Sequence, residues 1–302
     1  MLPSGFQFFE RGWLSSNTLL LHSHDQAVAI DTGYVSHADQ LLRLIHQQLQ
    51  GQALDLVINT HLHSDHCGGN ALLQDTFEQL EVHIPSSQWA SVHDWSAEAL
   101  SFELTGQTCP PFMATHGVSN HQTLDLCGLP WTCIPSPGHD DDSFMLYQPD
   151  HAVLVSADAL WESGFGVVFP EFLGGGGFEG IASTLDVIEQ LNVKMVLPGH
   201  GNPFTDISQS LARARSKLDF YTHHPEKHAQ YAAKVLLKFK LMEFQHLAYE
   251  SFMAWSLSAP LLKTIHQHFY SDKHLSLWVE ELISEMIERK AMRMQSGELI
   301  NL

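Results

Sequence analysis

Three histidines and an aspartate fall within six residues of the stretch Thr60-His61-Leu62-His63-Ser64-Asp65-His66-Cys67-Gly68-Gly69, directly after the apolar run Leu54-Asp55-Leu56-Val57-Ile58-Asn59. In an extended chain, residues two apart point to the same side. His61, His63 and Asp65 can therefore converge at a strand end while His66 turns in from the next corner. Imidazole and carboxylate groups suit zinc, iron or manganese, and two such sets can hold two ions. The chain carries 21 histidines in 302 residues. One cluster is therefore only a motif until other donors reach the same place.

Three later apolar runs each end in another donor. Trp131-Thr132-Cys133-Ile134 leads to Pro137-Gly138-His139, Ala152-Val153-Leu154-Val155 to Ser156-Ala157-Asp158, and Val193-Lys194-Met195-Val196-Leu197 to Pro198-Gly199-His200-Gly201. Loops at one edge of a rigid sheet are where binding residues gather. The elements that must hold them read as short strands over 6–9, 17–21 and 27–30, closed by Asp31-Thr32-Gly33, and as a helix over 36–50 with apolar residues at Leu41, Leu42, Leu44, Ile45 and Leu49. Further helices are expected over 70–80, 87–100 and 179–190, with strands over 82–85, 124–126 and 144–147.

Composition narrows the class. With 44% apolar residues and 16% charged ones, the chain can bury a large core. The formal charge of −19 is unevenly spread. Residues 1–205 hold 3 Lys+Arg against 23 Asp+Glu, whereas residues 206–302 hold 12 against 11. A field that negative repels polyanions, which disfavours nucleic acid as partner or substrate. The four cysteines form no Cys-x-x-Cys pair, and the N-terminus lacks a basic segment followed by an apolar one, so a cytoplasmic location is expected. No run reaches the 18 or so apolar residues of a membrane span.

The set Thr60 to His66, Pro137-Gly138-His139, Ser156-Ala157-Asp158 and Pro198 to Gly201, introduced by Asp31-Thr32-Gly33, resembles the metallo-β-lactamase superfamily of hydrolases over residues 1 to about 205. The resemblance implies an α/β fold, a four-layer αβ/βα sandwich with a dinuclear site at one edge. It places His61, His63 and His139 on one metal and Asp65, His66 and His200 on the other, with Asp158 bridging. The cysteine ligand of one group of true metallo-β-lactamases has no counterpart, because that position is Asp158. The glutamate usual in the related diiron flavoproteins is replaced by His63. A bridging aspartate is similar to glyoxalase II, the zinc lactonases, the alkylsulfatases and the metal-dependent ribonucleases of the superfamily.

Two divalent ions about 3.5–4 Å apart can share a water and lower its pKa toward about 7, giving a metal-bridging hydroxide as nucleophile. The expected cofactors are accordingly two divalent transition-metal ions, zinc first, with iron and manganese also suited. Asp65 would be ligand and proton shuttle. Asp31 would orient a ligand histidine by accepting its other ring N–H. The run Asp140-Asp141-Asp142-Ser143 reads as a solvated turn. The loop from Trp161 to Gly177 combines aromatic bulk with glycines, either as a lid with Trp161 and Phe165 facing the substrate or as a surface loop packed on its own phenylalanines.

From Asp206 the pattern is helical, over 207–221, 228–249, 251–255, 260–270 and 275–290, and closes with a hairpin turning at Ser296-Gly297. Three helices followed by a hairpin resembles the small winged-helix-like tail of some superfamily hydrolases. The expected organisation is a catalytic domain over 1–205 and a helical domain over 206–302 that covers the active-site mouth or forms a homodimer contact. The expected function is metal-dependent hydrolysis of a small ester-like substrate, a thioester, lactone or related acyl compound. A phosphodiesterase or ribonuclease on the same metals is one alternative, and a non-catalytic metal-bearing binding or regulatory protein is the other.

Overall fold

The structure is a computed structural model that describes residues 2–96 and 99–302. Six strands, β1 (Phe6–Phe9), β2 (Thr18–His22), β3 (Ala27–Ile30), β4 (Leu56–Ile58), β5 (Glu81–Pro85) and β6 (His116–Val118), lie side by side in chain order. β1 to β3 form antiparallel pairs, and β3 to β6 run parallel. A second sheet holds β7 (Thr123–Leu126), β8 (Leu129–Pro135), β9 (Phe144–Gln148), β10 (Val153–Ala157) and β11 (Met195–Pro198), in the order β11-β10-β9-β8-β7.

Side-chain alternation along these strands builds the layers. Val28, Ile30, Leu56 and Ile58 of the first sheet meet Phe144, Leu146, Val153 and Val155 of the second in a core between the sheets. Ala27, Ala29 and Val57 point the other way, onto helix Ala38–Leu49. That helix buries Leu41, Ile45 and Leu49, four residues apart, and each such side chain contributes about 1.5–3 kcal/mol when fully buried. It stops where Gln50 (φ 50°) and Gly51 (φ 104°) turn left-handed. Met145, Leu154 and Val196 pack on helices Gly177–Gln190 and Ile207–His223. The result is the expected four-layer sandwich. Because helix Ile207–His223 belongs to its outer layer, the change of composition near residue 205 precedes the change of core.

A further core joins Val167 and Phe172 of the loop after Asp158 to helices Pro225–Phe244, Tyr249–Ser258, Pro260–Phe269 and Leu275–Glu288 of the tail. A small sheet of β12 (His246–Ala248), β13 (Met292–Gln295) and β14 (Glu298–Asn301) closes it, in the order β12-β14-β13. The β13–β14 hairpin turns at Ser296-Gly297 as expected, both at positive φ, the geometry that matches the strands' twist. The helix expected over 228–249 ends early. Gln245 takes φ 65°, and His246–Ala248 pairs with β14, a long-range partner that helical periodicity does not reveal. Of the helix expected over 87–100, Trp89–His93 is observed, and residues 97 and 98 lie outside the described residues. Among the described residues no helix is long and apolar enough to cross a membrane.

Candidate active site

β3, β4, β8, β10 and β11 all deliver their C-terminal ends to one edge of the sandwich, since β3–β4 and β10–β11 are parallel and β8 is two antiparallel steps from β10. All seven donors expected from the sequence meet there. Donor atoms of His61, His63 and His139 lie within 4.8 Å of one another, as do those of His61, His66 and Asp158, and those of Asp65, His66 and His200. His63 Nδ1 is 3.2 Å from His61 Nε2 and 2.8 Å from His139 Nε2. Asp158 stands between the two groups: Oδ2 is 3.3 Å from His139 Nε2, while Oδ1 is 3.5 Å from His66 Nε2 and 3.8 Å from His200 Nε2. His200 Nε2 in turn approaches Asp65 Oδ2 at 3.1 Å.

The remaining ring nitrogens are held by the chain. His66 gives its Nδ1–H to Asp31 Oδ2 at 2.8 Å, and Asp31 also accepts from the Thr60 backbone N–H and hydroxyl, each at 2.9 Å. Asp31 is buried and sits at φ 59°, which aims its carboxylate under β4's end rather than into solvent. His139 gives Nδ1–H to the Val167 carbonyl at 2.6 Å. With those protons placed, Nε2 of both neutral rings is the lone-pair nitrogen, and it faces the cluster. His66 Nε2 is fully buried and, among the described residues, finds no hydrogen-bond partner. An unpaired buried polar atom is costly, and a cation among these donors would satisfy it. The donor set fits divalent metal.

Electrostatics follow from the crowding. Burial disfavours the charged form of His139 and, against the pull of Asp158, lowers its pKa to about 4. Burial also works against a charged His66, but Asp31, Asp158 and Asp65 outweigh it and hold that ring well above the usual range, so without a cation Nε2 holds a proton that a bound metal would displace to reach its lone pair. Burial would raise Asp158, yet His200, His66 and His139 keep it well below. Asp140 corrects the reading of its run as a solvated turn. Asp141 and Asp142 are exposed, but Asp140 is tucked in, its Oδ2 3.5 Å from His63 Nε2, and burial raises its pKa to about 6.

The first part of the loop after Asp158 is pinned by hydrogen bonds and forms one wall of the site. Gly166 N–H bonds the Asp158 carbonyl, Lys217 Nζ donates to Phe165 O at 2.9 Å, and Val168 N–H donates to His228 Nε2. Trp161 Nε1 donates to Asp158 Oδ1 at 3.2 Å. Trp161 lines a cavity of about 570 Å3 that opens on Asp65, His139, Asp158 and His200. Phe165, expected beside it at the substrate, is fully buried in the outer core with Lys217 above its ring. A Cβ at Gly166 would sit 2.5 Å from His139 Nδ1. Gly166→Ala is therefore expected to push the His139 ring off the Val167 carbonyl. It should cost about 1–3 kcal/mol by overpacking and weaken metal binding together, as thermal melting with chelator competition would read.

The sequence missed several neighbours. Trp13 is 57% exposed yet stacks on His200 with ring centroids 5.5 Å apart, and meets Trp161 edge-on at 5.4 Å. It follows no motif, only the end of the stretch that Asn17 pins beneath Pro198 and Gly201. The far wall comes from helix Pro225–Phe244, tied to the sandwich where the buried Tyr34 hydroxyl donates to Glu243 at 2.9 Å. Cys67, next to His66 in the chain, is fully buried.

The family model of the metallo-beta-lactamase superfamily matches residues 11–200. The beta-lactamase-like protein 2 homolog of Drosophila melanogaster is 24% identical over 234 residues, 71% of this chain and 71% of its own. A hydroxyacylglutathione hydrolase of Dechloromonas aromatica (strain RCB) is 29% identical over 150 residues, 50% of this chain and 46% of its own, so the match spans about half of that relative. The crystal structure of a metallo-beta-lactamase family protein from Thermus thermophilus shares the fold with a TM-score of 0.59 at 18% identity, over 100% of both chains. With the family model covering well over half of the chain, and the seven donors in the cluster that motif predicts, this protein belongs to the metallo-β-lactamase superfamily of metal-dependent hydrolases.

Proposed function

We propose that the chain hydrolyses an ester-like acyl substrate, a thioester, a lactone or a related compound, at a site for two divalent ions with zinc as the expected metal. The observation that carries this reading is Asp158, whose two oxygens face different donor groups, His139 on one side and His66 with His200 on the other. His61, His63 and His139 would hold one ion and Asp65, His66 and His200 the second. When bound, such a pair supplies an acidified water and polarises a carbonyl.

The chain's own residues do the rest. Asp65 lies at the cavity edge with Oδ2 against His200, and among the described residues its Oδ1 accepts no hydrogen bond, so it is placed to take a proton from the attacking water and return it to the leaving group. Asp31 and the Val167 carbonyl keep His66 and His139 in the tautomers that leave Nε2 bare. Trp161 fixes Asp158 through its indole N–H, and Trp13 covers His200 from the solvent side. The hydroxyacylglutathione substrate named for one relative supports an acyl reaction. The charge of residues 1–205 speaks against a phosphodiester polymer. Metal-loaded protein is expected to cleave members of a thioester and lactone panel and to leave single-stranded RNA intact. Cleavage of RNA with no acyl hydrolysis would replace this reading by the phosphodiesterase one.

A further inference from the structure

We propose that the cavity beside the donor cluster is an acyl-chain subsite, taking the apolar acyl half of a thioester while the thiol half points to solvent. This rests on the acyl-hydrolase reading above. From His139 and Asp158 the cavity runs between the pinned wall, Trp161, Val167 and Phe169, and one face of helix Pro225–Phe244. Tyr231, Val235, Phe239 and Met242 recur there at helical spacing, so a single stripe of the tail, apolar apart from the Tyr231 hydroxyl, looks onto the donor cluster across a cavity of about 570 Å3.

The cationic chemistry on these walls is already committed. Among the described residues lining the cavity, Lys238 is the one Lys or Arg, and its ammonium donates to the Ala291 carbonyl, to Asn301 Oδ1 at 2.6 Å and to Leu302 O at 2.9 Å. An ammonium has three donors, and three acceptors use them. It offers nothing to a phosphate or carboxylate without first breaking those bonds. A thiol half rich in amides would likewise leave its polar groups unpaired against Val167, Val235 and Phe239, a costly arrangement. Methylenes gain from the same surface, each buried one strengthening transition-state binding by about fourfold.

The test holds the thiol constant and varies the acyl group, using N-acetylcysteamine thioesters of acetyl, butanoyl, octanoyl and dodecanoyl groups with the metal-loaded full chain. kcat/KM is expected to rise about fourfold per methylene until the cavity fills, and by at least a hundredfold from acetyl to octanoyl. Val235→Trp should lower the octanoyl-to-acetyl ratio at least tenfold. That ratio is taken within one preparation and does not depend on how much of it is folded. In calorimetry on chelator-treated protein, an S-octyl thioether of N-acetylcysteamine should bind at least tenfold tighter than the S-ethyl one, with a negative heat-capacity change. Thioester cleavage with a flat acyl profile and equal thioether binding would overturn the subsite and leave the hydrolase reading standing. Cleavage of neither thioesters nor lactones would remove both.

Discussion

Asp65→Asn is expected to lower kcat by about 10²–10⁴ at saturating metal, the range seen when a positioned acid–base group is lost. The fold should be nearly untouched. The side chain lies at the cavity edge, the replacement keeps its shape, and the backbone carbonyl of Asp65 that accepts from Ser16 N–H at 2.9 Å is unchanged. Kinetics with metal titrated to saturation and thermal melting of the chelated protein separate the two effects. Turnover equal to that of the parent chain would remove Asp65 from the proton path. A large fall in melting temperature without loss of turnover would make its role structural.

Replacing Asp31 should act through metal affinity rather than through the reacting atoms. Its carboxylate accepts from His66 Nδ1 and from both donors of Thr60, so it fixes the ring's tautomer and joins β3 to the end of β4 in the same contacts. Asn is the cleaner substitution, because the residue sits at φ 59°, a conformation Asn tolerates and Ala does not favour. The amide can still accept at one atom, but its NH2 must face the His66 N–H or a Thr60 donor. Asp31→Asn is expected to weaken metal binding about 10–100-fold, as lost outer partners of ligand histidines do. The donor left unpaired should cost about 1–3 kcal/mol of stability. Competition with a chromophoric chelator, beside denaturant unfolding of the metal-free protein, reads both. Unchanged affinity would show that His66 needs no support from Asp31.

The seven donors were legible because each follows an apolar run, and a polar residue at the end of such a run in a parallel arrangement reaches a common sheet edge. The layers were legible only through the resemblance, because β3, β4 and β10 are buried on both faces and no alternation in their sequence tells one face from the other. Irregular loops carry no period either. Trp161 and Phe165 looked alike as loop aromatics, yet Phe165 turns into the outer core and leaves Val167 and Phe169 to line the cavity. Asp140 looked like its exposed neighbours and instead faces His63. Contacts made across long separations were the least visible. Trp13 against His200, Tyr34 against Glu243, and the stripe from Tyr231 to Met242 against the donor cluster depend on how the tail folds back, which no local spacing records.

The most direct test of the two-metal account is elemental analysis of protein purified without chelator, paired with titration of the stripped protein by zinc. Two divalent transition ions per chain are expected, falling to one or fewer in Asp158→Ala, where neither donor group keeps its shared carboxylate. A stoichiometry near zero with all seven donors intact, or a count that Asp158→Ala leaves at two, would contradict it.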